Sequence, residues 1–159
     1  MKKINLFITS ARLSVTLVLL MVLAEQGNAQ NATESTGLAG YRTLDTINYV
    51  GKGYMKPLAA RKNYAVVSFV FEAGARNNWH LHPGAEQLLY VLEGEGYYQQ
   101  EGKPKQIIKK GDLIIVPPDT KHWNGASPKG RFLHLSLSDH SNQGHVKWFA
   151  KASEQEYQN

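Results

Sequence analysis

Gly74-Ala75-Arg76-Asn77-Asn78-Trp79-His80-Leu81-His82-Pro83-Gly84-Ala85-Glu86-Gln87 is the stretch from which the rest of this chain can be read. Residues two apart on a β-strand point to one face, so His80 and His82 present two imidazoles to the same point in space. Gln87 follows five residues after His82, and a third histidine, His122, stands forty residues on, ahead of further strand-like sequence. A lone histidine is usually a surface group or a core residue bonded to backbone. Two on one strand face, with an amide or carboxylate oxygen close behind and a third imidazole beyond, point instead to a metal site.

Outward from this stretch, strand signals recur at short intervals. Residues 65–71 form a β-branched and aromatic run, and so do residues 87–92, which turn at Gly94-Glu95-Gly96 into Tyr97-Tyr98-Gln99-Gln100. Ile107-Ile108, then residues 113–116, 131–137 and 146–149, continue the series. Many short strands separated by Gly, Pro and Asp turns predict an all-β sandwich or small barrel. The one helical prospect is the short tail after Lys151.

The chain has 159 residues, enough for one domain with a real core. Lys2, Lys3 and Arg12 precede an apolar run from Leu13 to Ala24, followed by Gly27-Asn28-Ala29. This pattern predicts a signal peptide over residues 1–29, cleaved after Ala29, and hence a periplasmic or secreted protein with no membrane attachment after cleavage. Residues 30–40 are small and polar and read as a flexible lead-in, leaving the folded domain at 41–157. The full chain carries a net charge of +5, and losing the leader removes three basic groups and one acid. The remainder is too weakly and diffusely basic to argue for nucleic acid. Lys103, Lys105, Lys109 and Lys110 cluster around Gly102 and Pro104 as a solvated turn does. With no cysteine there is no disulfide framework, thiolate ligand or catalytic thiol. Gly94-x-Gly96 lacks the third glycine of a nucleotide-binding loop.

The spacing of these residues resembles the cupin family. Its first motif, G-x5-H-x-H-x3-4-E-x6-G, is matched by Gly74, His80, His82, Gln87 and Gly94. Its second, G-x5-P-x-G-x2-H-x3-N, is matched by Gly111, Pro117 and His122, with Asp119 in place of the glycine and Ala126 in place of the asparagine. Asp tolerates the turn geometry that the motif glycine serves. Glu86 and Gln87 each satisfy part of the spacing and point to opposite faces of a regular strand, so one of them at most can ligate. Trp79-His80-Leu81-His82-Pro83 and His122-Trp123-Asn124-Gly125-Ala126 resemble the small single-domain cupins known as carboxymuconolactone-decarboxylase-like or hydroxynitrile-lyase-like, which carry glutamine in the ligand position and favour Gln87. The resemblance spans Tyr41 to Tyr157.

It implies a double-stranded β-helix, or jelly roll, with His80, His82 and Gln87 on one hairpin and His122 on the other. One divalent transition metal ion, Zn, Ni, Mn, Fe, Co or Cu, is the expected cofactor. Metal acquired outside the cytoplasm favours Zn, Ni or Cu. Three imidazoles and a neutral amide would leave the ion its full charge, suited to polarising a bound oxygen or anion. His134, on an alternating strand, is the candidate general base, as in hydroxynitrile-lyase-type cupins. Asn124 departs from the histidine that subgroup carries there, and Ser138 would be the next polar group along the His134 strand. Leu89 and Val91 should extend an apolar wall from Gln87, while Trp79 and Trp123 pack away from the site. Arg76, Tyr90 and Tyr98 are candidates for the barrel mouth, and His140 and His145 for a solvated loop. Three functions follow: non-redox lyase, decarboxylase or isomerase chemistry on a small oxygenated carbonyl compound or acid; a cupin dioxygenase; or a non-catalytic binding cupin. A homodimer exchanging strands near residues 47–54 is expected from the same resemblance.

Overall fold

The computed structural model describes residues 37–139 and 145–159. The stretch read as a signal peptide, most of the expected lead-in and His140 lie outside the described residues. Residues 41–159 form a compact unit. In chain order its strands are β1 (Arg42–Thr43), β2 (Tyr49–Val50), β3 (Gly53–Ala60), β4 (Tyr64–Phe71), β5 (Arg76–Asn77), β6 (His80–Leu81) and β7 (Gln87–Glu93). They continue with β8 (Glu95–Gln100), β9 (Gln106–Lys109), β10 (Leu113–Val116), β11 (His122–Ala126), β12 (Phe132–Asp139) and β13 (Lys147–Trp148), and end in the helix α1 (Glu154–Gln158).

All pairings are antiparallel and build two sheets, the all-β jelly roll that the sequence implied. One sheet runs β1-β3-β4-β12-β7-β10; the other runs β13-β6-β11-β5-β2, with β8 on the far edge of β11 and β9 beyond it. The period-2 pattern explains the packing. Along β12, Phe132, His134, Ser136 and Ser138 are buried, while the intervening Leu133, Leu135 and Leu137 face outward. Register sets His134 beside Phe69 of β4 and Val91 of β7, and Ser136 beside Val67 and Leu89. These inward rows enclose a core that includes Phe71, Leu89, Val91, Tyr98, Val116 and Phe132. On the outer face Tyr90, Leu113, Ile115 and Leu137 stay exposed.

Two of the longer strands were not legible in the pattern. β3 contains Pro57, which removes a ladder donor, and the register slips between Pro57 and Ala59, the bulge at which a strand tolerates proline. β11 is all-buried and carries no alternation to read. It also approaches β5 closely: a Cβ on Gly125 would stand 2.4 Å from that of Arg76, so only glycine lets the two strands meet there. The tail helix starts at a capping box in which Ser153 and Glu156 satisfy each other's backbone N–H groups. Its Tyr157 packs with Trp79, Trp123 and Ala152 in a second core cluster.

Candidate metal centre and its cavity

The two motif segments are joined before any ligand is considered. Asp119, at φ +59°, takes the left-handed turn that the motif glycine serves. Its carboxylate accepts from the Gly84 N–H at 3.0 Å, and its own N–H donates to the His82 carbonyl at 3.2 Å. The β10–β11 loop is thereby tied to the turn after His82. His122 of β11 pairs in register with His80 of β6. Together with His82 they form a buried trio whose ligand nitrogens all lie within 4.8 Å of one another.

Hydrogen bonds assign the ring protons. The backbone carbonyl of Asn78 is 3.0 Å from His80 Nδ1, and that of Thr120 is 2.9 Å from His122 Nδ1. A carbonyl only accepts, so Nδ1 carries the proton in both rings and Nε2 keeps its lone pair. Burial holds both imidazoles neutral: desolvation, with the neighbouring His122 adding to it, drives His80 well below its ordinary value, and desolvation lowers His122 to about 4.

Gln87 completes the arrangement and Glu86 does not. Gln87 is buried and Glu86 exposed, as their opposite faces require. The Gln87 amide nitrogen donates to Ser136 Oγ at 2.8 Å, which turns its Oε1 toward His122 Nε2 at 3.0 Å. With His122 Nδ1 already donating to Thr120, Nε2 presents its lone pair beside the Gln87 amide. Two adjacent ligands of an octahedral ion, each about 2.1 Å from it, stand about 3.0 Å apart. The residues therefore fit a divalent cation. Neutral imidazoles are the form that binds it, and the backbone carbonyls that hold the Nδ1 protons orient the rings as outer-shell partners do.

His80, His82 and Gln87 line one side of a cavity of about 150 Å³. Its other walls are Ala65, Val67, Phe69 and Phe71 of β4, Leu89 of β7, and Tyr49, Val146 and Trp148. Asn77, Asn124, His134, Ser136 and Ser138 add polar groups. His134 is stacked on Phe69, Phe71 and Phe132, with ring centroids 5.0 to 5.7 Å away, and burial pushes it down to about 3. Leu89 and Val91 are fully buried, and Trp79 and Trp123 pack edge-on to each other in the second cluster.

The three mouth candidates are elsewhere. Arg76 is buried against the tail, bonded to the Ala152 carbonyl and Glu154. Tyr90 points outward, and Tyr98 lies in the core with its ring 5.7 Å from that of His122. His145 is exposed. Sequence reasoning missed Tyr49, Asn77 and Trp148, whose ring lies 4.9 Å from that of His80. All three sit on two-residue strands, which have no periodicity to detect.

A jelly roll that brings histidines from two hairpins to one buried point defines a class of barrel with a three-histidine centre. The chain belongs to the cupin family: the family model described as Cupin domain matches residues 67–133. The (R)-mandelonitrile lyase of Granulicella tundricola is 34% identical over 112 residues, covering 69% of this chain and 85% of that protein. The acireductone dioxygenase of Alcanivorax borkumensis is 30% identical over 62% of this chain, which spans about half of its length (48%). Among solved structures, a cupin-like protein from Thermotoga maritima superposes with a TM-score of 0.69 and 38% identity, over 73% of this chain and 90% of that one.

Proposed function

We propose that this cupin is a metal-dependent enzyme of the lyase type, acting without redox change on a small oxygenated carbonyl compound or acid. The observation that carries the reading is the buried convergence of His80, His82 and His122, whose ligand nitrogens lie within 4.8 Å of one another, with the Gln87 side-chain amide 3.0 Å from His122 Nε2. His80, His82, His122 and Gln87 would hold the ion, which when bound supplies Lewis-acid polarisation of a substrate oxygen. The remaining work falls to the chain itself. Phe69, Phe71, Leu89 and Trp148 exclude water and receive the apolar part of the substrate. A cavity of about 150 Å³ has room for a benzene-sized group. The likeness to a mandelonitrile lyase supports a carbon–carbon cleavage of this scale.

The test has two parts. Metal content is measured in the purified protein beside His82→Ala and Gln87→Ala; one ion per chain, lost in the first variant and weakened in the second, is expected. Zinc-loaded protein is then given mandelonitrile while benzaldehyde release and oxygen uptake are followed. Release without oxygen uptake is expected. Oxygen uptake that requires iron, nickel or copper would favour the dioxygenase reading, which the acireductone dioxygenase relatives support. A metal-free protein after reconstitution would leave a binding barrel.

The leader-like residues 1–29 support export, and among the described residues no helix is long and apolar enough to cross a membrane. For a homodimer, the outer face with Tyr90, Leu113, Ile115 and Leu137 is the better-supported contact. Residues 47–54 are already engaged: β2 pairs with β5, and β3 with β1 and β4.

A further inference from the structure

The cavity wall beside the metal centre is not built by the two motif hairpins alone. Among the described residues, Val146 and Trp148 are the lining groups that come from beyond β12. Trp148 stands in register with His80 across the β13–β6 pair. Residues directly opposite on neighbouring strands project to the same face. Trp148 therefore projects to the side on which His80 joins the histidine trio. Its ring lies 4.9 Å from that of His80, tilted by 34°, and meets the Tyr49 ring edge-on at 5.6 Å. Tyr49 in turn lies 6.2 Å from Phe71. All of these separations are those of rings in contact. A continuous row of rings thus runs from a metal ligand along the cavity wall, and Trp148 is its first member after the ligand.

The segment that delivers Trp148 is fastened on its other face. The Phe149 N–H donates to the Trp79 carbonyl at 2.8 Å, and the Trp79 N–H donates to the Ala150 carbonyl at 3.1 Å. Further along, the carbonyl of the buried Ala152 accepts from Arg76 Nε at 3.3 Å and Nη2 at 3.2 Å. Arg76 Nη2 also pairs with Glu154, and Nη1 donates to the Gly74 carbonyl at 3.2 Å. The guanidinium lies 4.6 Å from the centre of the Tyr157 ring, whose hydroxyl donates to the Ala126 carbonyl at 2.9 Å. β5 is thereby divided between two tasks: Asn77 lines the cavity, and Arg76 holds the strap. A rigid fork of donors suits a residue that must bond several oxygens at once. Its loss would leave the Ala152 carbonyl buried without these donors.

We propose that the strap of residues 147–157 is the specificity element of the cavity, in which Trp148 sets how broad a flat substrate can lie beside the metal centre, and Arg76 is a positioning residue that acts through the strap. Trp148 is placed by backbone pairing in which its ring takes no part, so the side chain can change while β13 stays paired. The inference deepens the proposed function and rests on the cavity being its substrate site. It narrows the ligand to a planar, ring-bearing carbonyl compound or acid whose flat part lies along the row of rings.

The experiment measures the affinities of benzoate and 2-naphthoate by calorimetry, in zinc-loaded and in metal-free protein. Trp148→Ala removes a ring contact from benzoate and vacates space that the second ring of 2-naphthoate can take. The ratio of the two affinities should shift toward 2-naphthoate by at least about tenfold, the worth of one aromatic contact. Trp148→Phe should shift it in the same direction by less. Arg76→Met keeps an apolar stem without donors, and should also move the ratio while zinc content stays at the wild-type level. In protein labelled with 5-fluorotryptophan, the Trp148 signal, identified by its loss in Trp148→Phe, should be displaced by Arg76→Met. Arg76→Lys, which can reach one carbonyl, should restore part of both effects. An Arg76 that serves stability alone would lower the melting temperature and leave the ratio as it was. An unchanged ratio in both Trp148 variants overturns the proposal, and so does wild-type protein that binds neither probe at millimolar concentration. A ratio that moves with Trp148 but ignores both Arg76 variants overturns the role given to Arg76. If zinc fails to bind but the ratio still follows Trp148, the metal reading falls and this one stands. If zinc binds and the ratio ignores Trp148, this one falls alone.

Discussion

The two sides of the cavity both present buried, neutral histidines with the proton on Nδ1, yet they offer opposite chemistry. At the metal side, backbone carbonyls of Asn78 and Thr120 occupy the Nδ1–H of His80 and His122, which leaves Nε2 lone pairs pointing into the site. At the aromatic side, the Asn124 amide faces Nε2 of His134, which leaves an N–H without a partner. What an imidazole offers is therefore decided by what holds its other nitrogen. A carbonyl behind the ring makes a ligand for a cation; an amide N–H makes a donor for an anion or carbonyl.

The sharpest break of that contrast is His122→Ala. It removes one nitrogen of the trio and the partner of Gln87 Oε1 together. Metal affinity, measured by competition with a chelating dye, should fall by at least about 100-fold, beyond the 10- to 100-fold typical of losing an outer-shell partner. A variant that keeps wild-type affinity would show that the trio is not the metal centre.

Acid should act on both sides at once. Burial holds His134 down to about 3, His122 to about 4, and His80 well below 6.5, whereas a histidine in the unfolded chain takes its proton near 6.5. Between those values the unfolded state binds more protons than the native state, so stability is greatest above about pH 6.5 and declines as pH falls. The slope is up to about 1.4 kcal/mol per pH unit for each such histidine. Urea titrations of metal-free protein from pH 7.5 to 4.5 would measure it, and His134→Phe should flatten the curve by one histidine's share. An unchanged slope would mean that His134 already exchanges its proton freely in the native state.

The mildest change is Ser136→Ala, which removes the hydroxyl that turns the Gln87 amide. The ligand oxygen would then be free to rotate away, and metal affinity should drop about tenfold while the His134 tautomer stays as it was. A matching change in His134 would show that the two sides are coupled through β12, on which Ser136 and His134 both lie.

Much of this architecture was legible in the residues. The strand runs and the His80-Leu81-His82 spacing imply an all-β barrel with two imidazoles on one face, because strand periodicity is a local property; the resemblance of the two glycine-bounded motifs to cupins made it a jelly roll and brought His122 to the same place. The inward choice of Gln87 over Glu86 was narrowed by sequence to one of two faces and made by the register of β7 against β10 and β12. The assignment of Arg76 to the mouth failed because Ala152 and Glu154, far along the chain, claim its guanidinium, while Tyr90 faces outward and Tyr98 is buried in the core.

By itself, then, the sequence determined an all-β barrel and, through the spacing of its two motifs, the three histidines of the site. Only the tertiary structure decided what each histidine does. That depends on hydrogen bonds between groups as distant as Asn77 and Asn124, 47 residues apart, and on two-residue strands such as β5 and β13. Neither leaves a period in the sequence, because which atom accepts and which donates is settled only when the chains are packed against each other.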